Sequence, residues 1–432
     1  MNQVTEKIAA EIRNQGAISF ARFMELALYC PVYGYYEKER DTIGRHGDFF
    51  TSVSAGPLFG QLLACQFAGW FQAGECQGSS TECHGERQQP GPSRQQVLQI
   101  IEAGAHWGEL ARDILLWMRR ERPGLFEHLE YWIIEPSLGR RRRQQNTLSE
   151  FSPKVIWAEH LLGAPCFSLS PSEGERGSFM CSPSHRQIKN VVHVRGSAIT
   201  AAPGLAAPSG AQRIIFANEL LDALPVHRLG WDAGARIWFE WGVALEKERF
   251  VWSRLNGPSL SQKGPMPEAP GCPRELLDVL PDGFVLEICP AATQWWREAS
   301  RVVASGKLLV FDYGLTEEGF WLPERGRGTL RAYRCHRAFE DVLAEPGEQD
   351  ITAHVNFTGL QAAGHLAGLQ TEFFGTQTQF LTRIAERIWI GEMQFGNWKG
   401  ALNRQFQTLT HPEHLGRAFR VLVQSRGESF RK

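Results

Sequence analysis

The 432-residue sequence lacks any apolar run approaching the roughly 20 residues that a membrane-crossing helix needs. Its nine cysteines, at 30, 65, 76, 83, 166, 181, 272, 289 and 335, include no CxxC pair. That spacing excludes the common zinc and dithiol frameworks, and most of the cysteines read as reduced, small core residues. Net charge is also nearly absent, because 46 Lys and Arg face 47 Asp and Glu. No global field is available to hold nucleic acid or an anionic membrane, so specificity has to come from a local site. The opening "MNQVTEKIAAEIRNQG" mixes acids with bases and carries no apolar leader core, and a cytoplasmic protein without a membrane span is expected.

What is present is a chain 43% hydrophobic and long enough to bury a large core. Helical periodicity over 4–14 and 19–29 gives way to a turn-rich segment, then to helical "GPLFGQLLACQFAGWFQ". From residue 97 strands alternate with helices: strand 97–102, helix 108–120, strand 131–135, helix 139–149, strand 154–157. The pattern continues with strand 213–217, a helix near 219–224, a hairpin at 236–253, strand 284–288, helix 291–304 and strand 307–312. Such alternation predicts a doubly wound, parallel α/β sheet, with the β-like "LQTEFFGTQTQFL" and "FRVLVQSRG" supplying an antiparallel edge.

Two stretches interrupt this order, 73–95 and about 163–212, rich in Ser, Pro and Gly and without sustained periodicity. The expected organisation is an N-terminal helical cap over 1–72, a flexible insertion at 73–95, and an α/β domain over 96–432 carrying the second insertion. Cys76, Cys83 and His84 lie in one insertion and Cys166, Cys181 and His185 in the other. Their spacings match no usual zinc pattern, and no metal is expected.

The most telling turn is in "QIIEAGAHWGELARDIL", residues 99–115. Gly104 and Gly108 follow Glu102 at a strand end. A dinucleotide fingerprint needs a third glycine where Glu109 stands, and a phosphate loop needs Gly-Lys where Glu109-Leu110 stands. What remains is acid-x-Gly-x-Gly-x-Gly, the arrangement of class I S-adenosylmethionine (SAM) methyltransferases, with His106 in the second glycine slot. His tolerates a left-handed φ better than most residues, so an altered but working pocket is compatible with this turn.

Glu135 ends the next strand in "YWIIEPSLGRRRRQQNTL", where an acid can accept ribose hydroxyls; the adjoining Arg140 to Arg143 read as a solvated helix face. "RIIFANELLDALPVHRL" sets Asn218, Glu219 and Asp222 at the carboxyl edge of the sheet, where open α/β folds bind ligands.

At this point the chain resembles the MidA-like SAM-dependent methyltransferases, a family that includes the mitochondrial arginine methyltransferase assisting respiratory complex I assembly. The matching stretches are "ISFARFMELALYCPVYGYY", "GDFFTS", "GPLFGQLLA", "YWIIEPS", "FANELLDALPVH", "LLVFDYG", "GTLRAYRCHR" and "PGEQDITAHVNF", with a weaker "GRAFRVLVQSRG". The sequence departs from the family where Val53-Ser54 replaces Pro-Glu, at His106, and in both insertions.

The resemblance implies a class I, Rossmann-like fold, SAM as methyl donor, and an arginine in a protein partner as acceptor, with a respiratory-complex subunit as the precedent. It implies that Gly47, Asp48, Thr51, Gly104 and Gly108 line the SAM pocket with Glu135, and that Asn218 and Glu219 face the substrate. Glu102 and His106 belong to the same cofactor set. For a guanidinium acceptor, carboxylates should orient the group and take its proton, Glu219 first and Asp222 second. Arg331, Tyr333, His336, Asp350, Thr352, His354 and Asn356 are expected on loops that close over the substrate, and Glu287 ends a strand that could face the cleft. Three other readings stay open: a catalytically silent, methyltransferase-like assembly chaperone; an NAD(P) oxidoreductase; and a methyltransferase for a small molecule or RNA. Oligomeric state is left open.

Overall fold

The computed structural model describes residues 2–38, 50–77, 97–161, 211–255, 274–303, 305–413 and 415–426. Its centre is a mixed sheet built on continuous apolar runs. In β2 (Leu98–Ala103) every residue is buried, as a strand covered on both faces requires. Beside it on one side lie β3 (Leu129–Ile134) and β4 (Val155–Ala158), and on the other β5 (Gln212–Asn218) and β10 (Gly306–Leu315), all parallel. Two antiparallel strands, β16 (Phe419–Ser425) and β15 (Gln370–Thr376), complete the edge, giving the order β15-β16-β10-β5-β2-β3-β4. The short β14 (Val355–Asn356) also pairs with β10. This is the doubly wound α/β sheet with an antiparallel edge that the sequence predicts.

Strand side chains alternate between two cores. Ile100, Phe216 and Phe311 pack under the helices Leu58–Gln77 and Glu109–Glu121, whereas Ile101, Ala217 and Val310 pack against Trp296 of the helix Pro290–Val302. The helix Glu109–Glu121 turns Leu110, Ala111, Ile114, Leu115, Trp117 and Met118 to the sheet, a helical repeat that buries one face.

Two smaller sheets lie off this frame. One is antiparallel, with β1 (Ile18–Ser19), β7 (Ile237–Glu246), β6 (His227–Asp232) and β9 (Val285–Ile288) in that order and β8 (Arg249–Arg254) on β7. The other joins β12 (Arg337–Phe339), β11 (Arg331–Arg334) and β13 (Asp350–Thr352). The helices Gln3–Gln15 and Phe20–Tyr29 pack against both through a third core around Phe20, Phe23 and Val243. The hairpin expected at 236–253 is present as β7–β8.

Two expectations are corrected. The strand near 284–288 pairs antiparallel with β6 and leaves the parallel order. No helix forms over 219–224, because the Leu220 and Leu221 N–H groups donate to the Asp312 carboxylate, at 3.3 and 2.8 Å. Glu219 adopts φ 53 there, so the chain leaves β5 through a left-handed residue and not through a helical turn. Both sequence insertions lie largely outside the described residues, as do Gly47 and Asp48.

Candidate active site

Strand order reverses between β2 and β5: the chain runs outward through β3 and β4 on one side and through β10 on the other. Loops leaving the carboxyl ends of such neighbours diverge and open a crevice. A cleft of about 1310 Å³ lies there, and its walls include Thr51, Glu102, Gly104, His106, Glu135, Asn218, Glu219 and Asp222. These residues come from four separate sequence motifs, and the fold brings them to one cavity.

On the β2 side, Gly104, His106 and Gly108 have φ values of 75, 45 and 88. The residue in the glycine slot therefore takes the left-handed conformation itself. Its ring stacks on Trp107, with centroids 5.2 Å apart, and its carbonyl accepts a hydrogen bond from Gln144 at 2.9 Å. Burial, with Arg140 and Arg143 nearby, lowers the His106 imidazole to about 3, so it is neutral at ordinary pH. Gly108 stands outside the cleft lining: it caps the helix Glu109–Glu121, and a Cβ there would come within 3.2 Å of Leu148. Glu102 is buried and accepts the Tyr131 hydroxyl at 2.7 Å; burial pushes its carboxyl up to about 8.

Glu135 follows β3 and is also buried. Its Oε1 accepts from the Ser137 N–H and from Arg140, both at 2.9 Å, and its Oε2 accepts from Gln144 at 3.1 Å. A carboxylate offers about four acceptor positions, so these three donors leave room for one more. Arg140 also pairs with Glu37 at 3.0 Å, and Ser137 Oγ donates to Glu37 at 2.7 Å. The reading of Arg140–Arg143 as a solvated face is thus corrected for Arg140 and Arg141, whose side chains are only 13% and 14% exposed.

On the β5 side stands a group of acids. The Ser52 N–H and Asn218 Nδ2 donate to Glu219 Oε1, at 3.2 and 3.0 Å, while Asn218 Oδ1 is buried with no partner among the described residues. Asp222 is buried and hydrogen-bonds the Asp312 carboxyl; Asp350 accepts the Tyr36 hydroxyl at 2.7 Å. Burial holds Glu219 up at about 8 and Asp312 at about 7, and burial with Asp312, Asp350 and Glu219 nearby raises Asp222 well above the carboxylate range. Tyr29, Tyr36, Tyr313 and Tyr333 also line the cleft. Carboxyls so placed cannot all ionise without a cation.

Arg331, Tyr333, His336, Asp350, Thr352 and His354 all reach the lining, but the expectation that they lie on loops is corrected for four of them: Arg331 and Tyr333 stand on β11 and Asp350 and Thr352 on β13, with only His336 and His354 in the connecting segments. Two residues go elsewhere. Asn356 caps the helix Phe357–Leu366 by accepting the Gly359 N–H, and Glu287 is buried on β9, outside the lining, against Thr329. Asp312, Tyr36 and Arg140 were missed as site-building residues. A lone acid inside apolar "LLVFDYG" was the available signal for Asp312, since a buried strand rarely carries one without a task. Among the described residues no group of His, Cys, Asp and Glu is placed to hold a metal, and no helix is long and apolar enough to cross a membrane. Cys30 and Cys65 are buried, while Cys335 is exposed.

This geometry agrees with the comparisons to known proteins. A family model described as "Putative S-adenosyl-L-methionine-dependent methyltransferase" matches residues 86–375, which include both walls of the cleft. The chain belongs to that methyltransferase family. It is 25% identical to the mitochondrial protein arginine methyltransferase NDUFAF7 homolog of Drosophila melanogaster, over 98% of this chain and 85% of that protein. The mouse protein arginine methyltransferase NDUFAF7 is 28% identical over 85% of this chain and 72% of its own length. Among solved structures, a COG1565 superfamily member from Burkholderia thailandensis bound to S-adenosylhomocysteine aligns with TM-score 0.68 and 26% identity, covering 98% of this chain and 92% of that one. This class I methyltransferase therefore uses SAM, and its own residues fit the ligand. The Gly104–His106 turn, the open acceptor position on Glu135 and the orphaned Asn218 Oδ1 all meet the same cavity.

Proposed function

We propose that this methyltransferase modifies a guanidinium nitrogen of an arginine in a protein partner. The observation that carries the reading is the group of Glu219, Asp222 and Asp350 at the β5 side of the cleft, where burial and the neighbouring acids raise Glu219 and Asp222 so that a cation is favoured beside them. A guanidinium is planar and permanently charged, and its fork suits two carboxylates at once. The names of the NDUFAF7 relatives support the same acceptor.

SAM, when bound, supplies an electrophilic methyl on a sulfonium. In this reading Glu102, Gly104, His106, Glu135 and Thr51 hold the donor, with Gly47 and Asp48 joining them from outside the described residues. Asn218 fixes Glu219, which orients the guanidinium and accepts its proton as the nitrogen is methylated, and Asp222 holds a second N–H. Orientation of this kind supplies roughly 7–11 kcal/mol of a bimolecular barrier, so the site needs little covalent chemistry of its own. The proposal keeps the protein in the cytoplasm, and the cap, insertion and domain boundaries as read from the sequence.

The test is incubation of the pure protein with methyl-labelled SAM and a cell extract, followed by acid hydrolysis of the protein fraction. Labelled methylarginine is the expected product. Label confined to RNA, to small molecules or to other amino acids would replace the arginine reading, and no label with intact SAM binding would favour the silent chaperone.

A further inference from the structure

Among the described residues, five arginines line the cleft: Arg112, Arg119, Arg120, Arg140 and Arg331. Four of them face carboxylates within ion-pair distance: Arg112 with Asp113, Arg119 with Glu150, Arg120 with Glu121, and Arg140 with Glu135 and Glu37. Arg331 has no such partner among the described residues, and its one hydrogen bond there runs from Nη1 to the Leu330 carbonyl at 2.7 Å.

Its place in the sheet explains why. β11 and β13 pair with Arg331 opposite Thr352 and Tyr333 opposite Asp350. Side chains alternate, so Leu330, Ala332, Ile351 and Ala353 enter the core while Thr329, Arg331, Tyr333, Asp350, Thr352 and His354 turn to the cleft. The result is a three-rung ladder. Its first rung, Tyr333 and Asp350, belongs to the acid group; its last joins Thr329 and His354, where Thr329 Oγ1 accepts the His354 N–H at 3.1 Å and His354 Nδ1 is buried without a partner among the described residues. Arg331 occupies the middle rung, about 7 Å from the acid rung by strand geometry. Asp350 Oδ1, on the neighbouring rung, accepts the Tyr36 hydroxyl.

Resting on the methyltransferase reading above, we propose that Arg331 anchors a carboxylate-binding subsite on this ladder, with Thr352 and His354 beside it. The fork is fixed at one end by Leu330 and open at the other, the geometry that receives a carboxylate with two parallel bonds. Two sources share this chemistry: the amino-acid carboxylate of the cofactor, and an Asp or Glu next to the methylated residue of the substrate. The acid rung and the cationic rung then recognise opposite charges of the same bound pair.

The full-length protein and its Arg331→Gln and Arg331→Lys variants are titrated by calorimetry with S-adenosylhomocysteine and with 5′-methylthioadenosine, which lacks the carboxylate. If the cofactor is the source, Arg331→Gln weakens homocysteine-ligand binding roughly tenfold or more and leaves methylthioadenosine unchanged, and Arg331→Lys recovers part of the loss. If the substrate is the source, both affinities stay unchanged. An array of arginine peptides in randomised contexts, labelled with SAM, then shows an Asp or Glu preference that Arg331→Gln abolishes. Should the glutamine variant melt early, the lysine variant is read on the same ligands, since it keeps the charge and loses the fork. Unchanged ligand affinities with no acid preference, including an array left unlabelled, overturn the subsite. An unlabelled array beside a tenfold loss of homocysteine-ligand binding would sink arginine acceptance and leave the subsite standing.

Discussion

Glu219 is the residue on which the chemistry turns. Its left-handed φ of 53 aims the carboxyl into the cleft, and Ser52 and Asn218 both donate to one of its oxygens. Glu219→Gln keeps the shape and removes the proton acceptor, so methyl transfer should drop by roughly 10²–10³ while S-adenosylhomocysteine still binds, measured by single-turnover kinetics beside calorimetry. The same group sets a pH dependence. Held near 8 by burial, it is protonated in neutral solution, and the wild-type kcat/KM should rise with pH toward 8, a step that the glutamine variant lacks. An equal loss of ligand binding in the variant would move Glu219 to the cofactor side. His106 makes a separate case, because its neutral ring is stacked on Trp107 in the glycine slot. His106→Gly should weaken S-adenosylhomocysteine binding with the fold intact, through the lost ring contact and the added backbone freedom of glycine. A tighter complex would mean that the ring obstructs the ligand. His106, Glu135 and Glu219 could all be read from sequence, since each lies just past the end of a strand. Arg140 could not, because its partner Glu135 is near in sequence but Glu37 lies before the whole sheet, and only the fold closes that second distance.

Elements show the same division between local and distant causes. The strand β2, its turn and the helix Glu109–Glu121 are legible because their determinants lie within a few residues: an apolar run, two glycines and a helical repeat of Leu, Ile, Trp and Met. The segment after β5 looks equally helical in sequence, yet its first N–H groups are captured by Asp312, 92 and 91 residues onward on β10. A side-chain acceptor that the local sequence does not contain overrides the helix. Asp312→Ala should leave those two donors unpaired, costing about 1–3 kcal/mol for the buried Leu221 N–H and less for the half-buried Leu220 N–H, and should let the Glu219–Asp222 turn wander. The expected phenotype is a lower melting temperature together with a large loss of turnover, at unchanged affinity for S-adenosylhomocysteine. A variant that melts lower but turns over normally would reduce Asp312 to a purely structural acid. Beyond its β7–β8 hairpin, the pairing of the second sheet was illegible for a related reason: β6 and β9 are separated by that hairpin, and periodicity cannot say which partner a short strand will choose.

Across the whole molecule the cleft is maintained at a cost in stability that pH exposes. Glu102 and Glu219 sit at about 8 and Asp312 at about 7, all raised by burial above their values in an unfolded chain. Above pH 4.5 the unfolded chain gives up the two glutamate protons while the folded protein keeps them. The stability they lend is therefore complete below the unfolded values and is lost as pH rises through 7 to 8. His106 and His354 act in the opposite range, lowered to about 3 and 4, so the unfolded chain gains their protons only below 6.5. Near pH 8 both histidines are neutral in both states; at pH 6.5 they are half protonated in the unfolded chain, but the three raised carboxyls outweigh them and set the sign of the slope. The melting temperature of the ligand-free protein should fall across that window, by roughly 2–5 °C for a domain of this size. The double variant Glu102→Gln, Glu219→Gln should flatten most of the fall, since the amide oxygen introduced at position 102 still accepts the Tyr131 hydroxyl and neither amide titrates. Calorimetric scans at pH values of about 6.5, 7.2 and 8.0 decide it. A wild-type melting temperature that is level or rising across these three points would mean that the cleft acids are already ionised in the empty protein, and that a cation other than the substrate guanidinium holds them so.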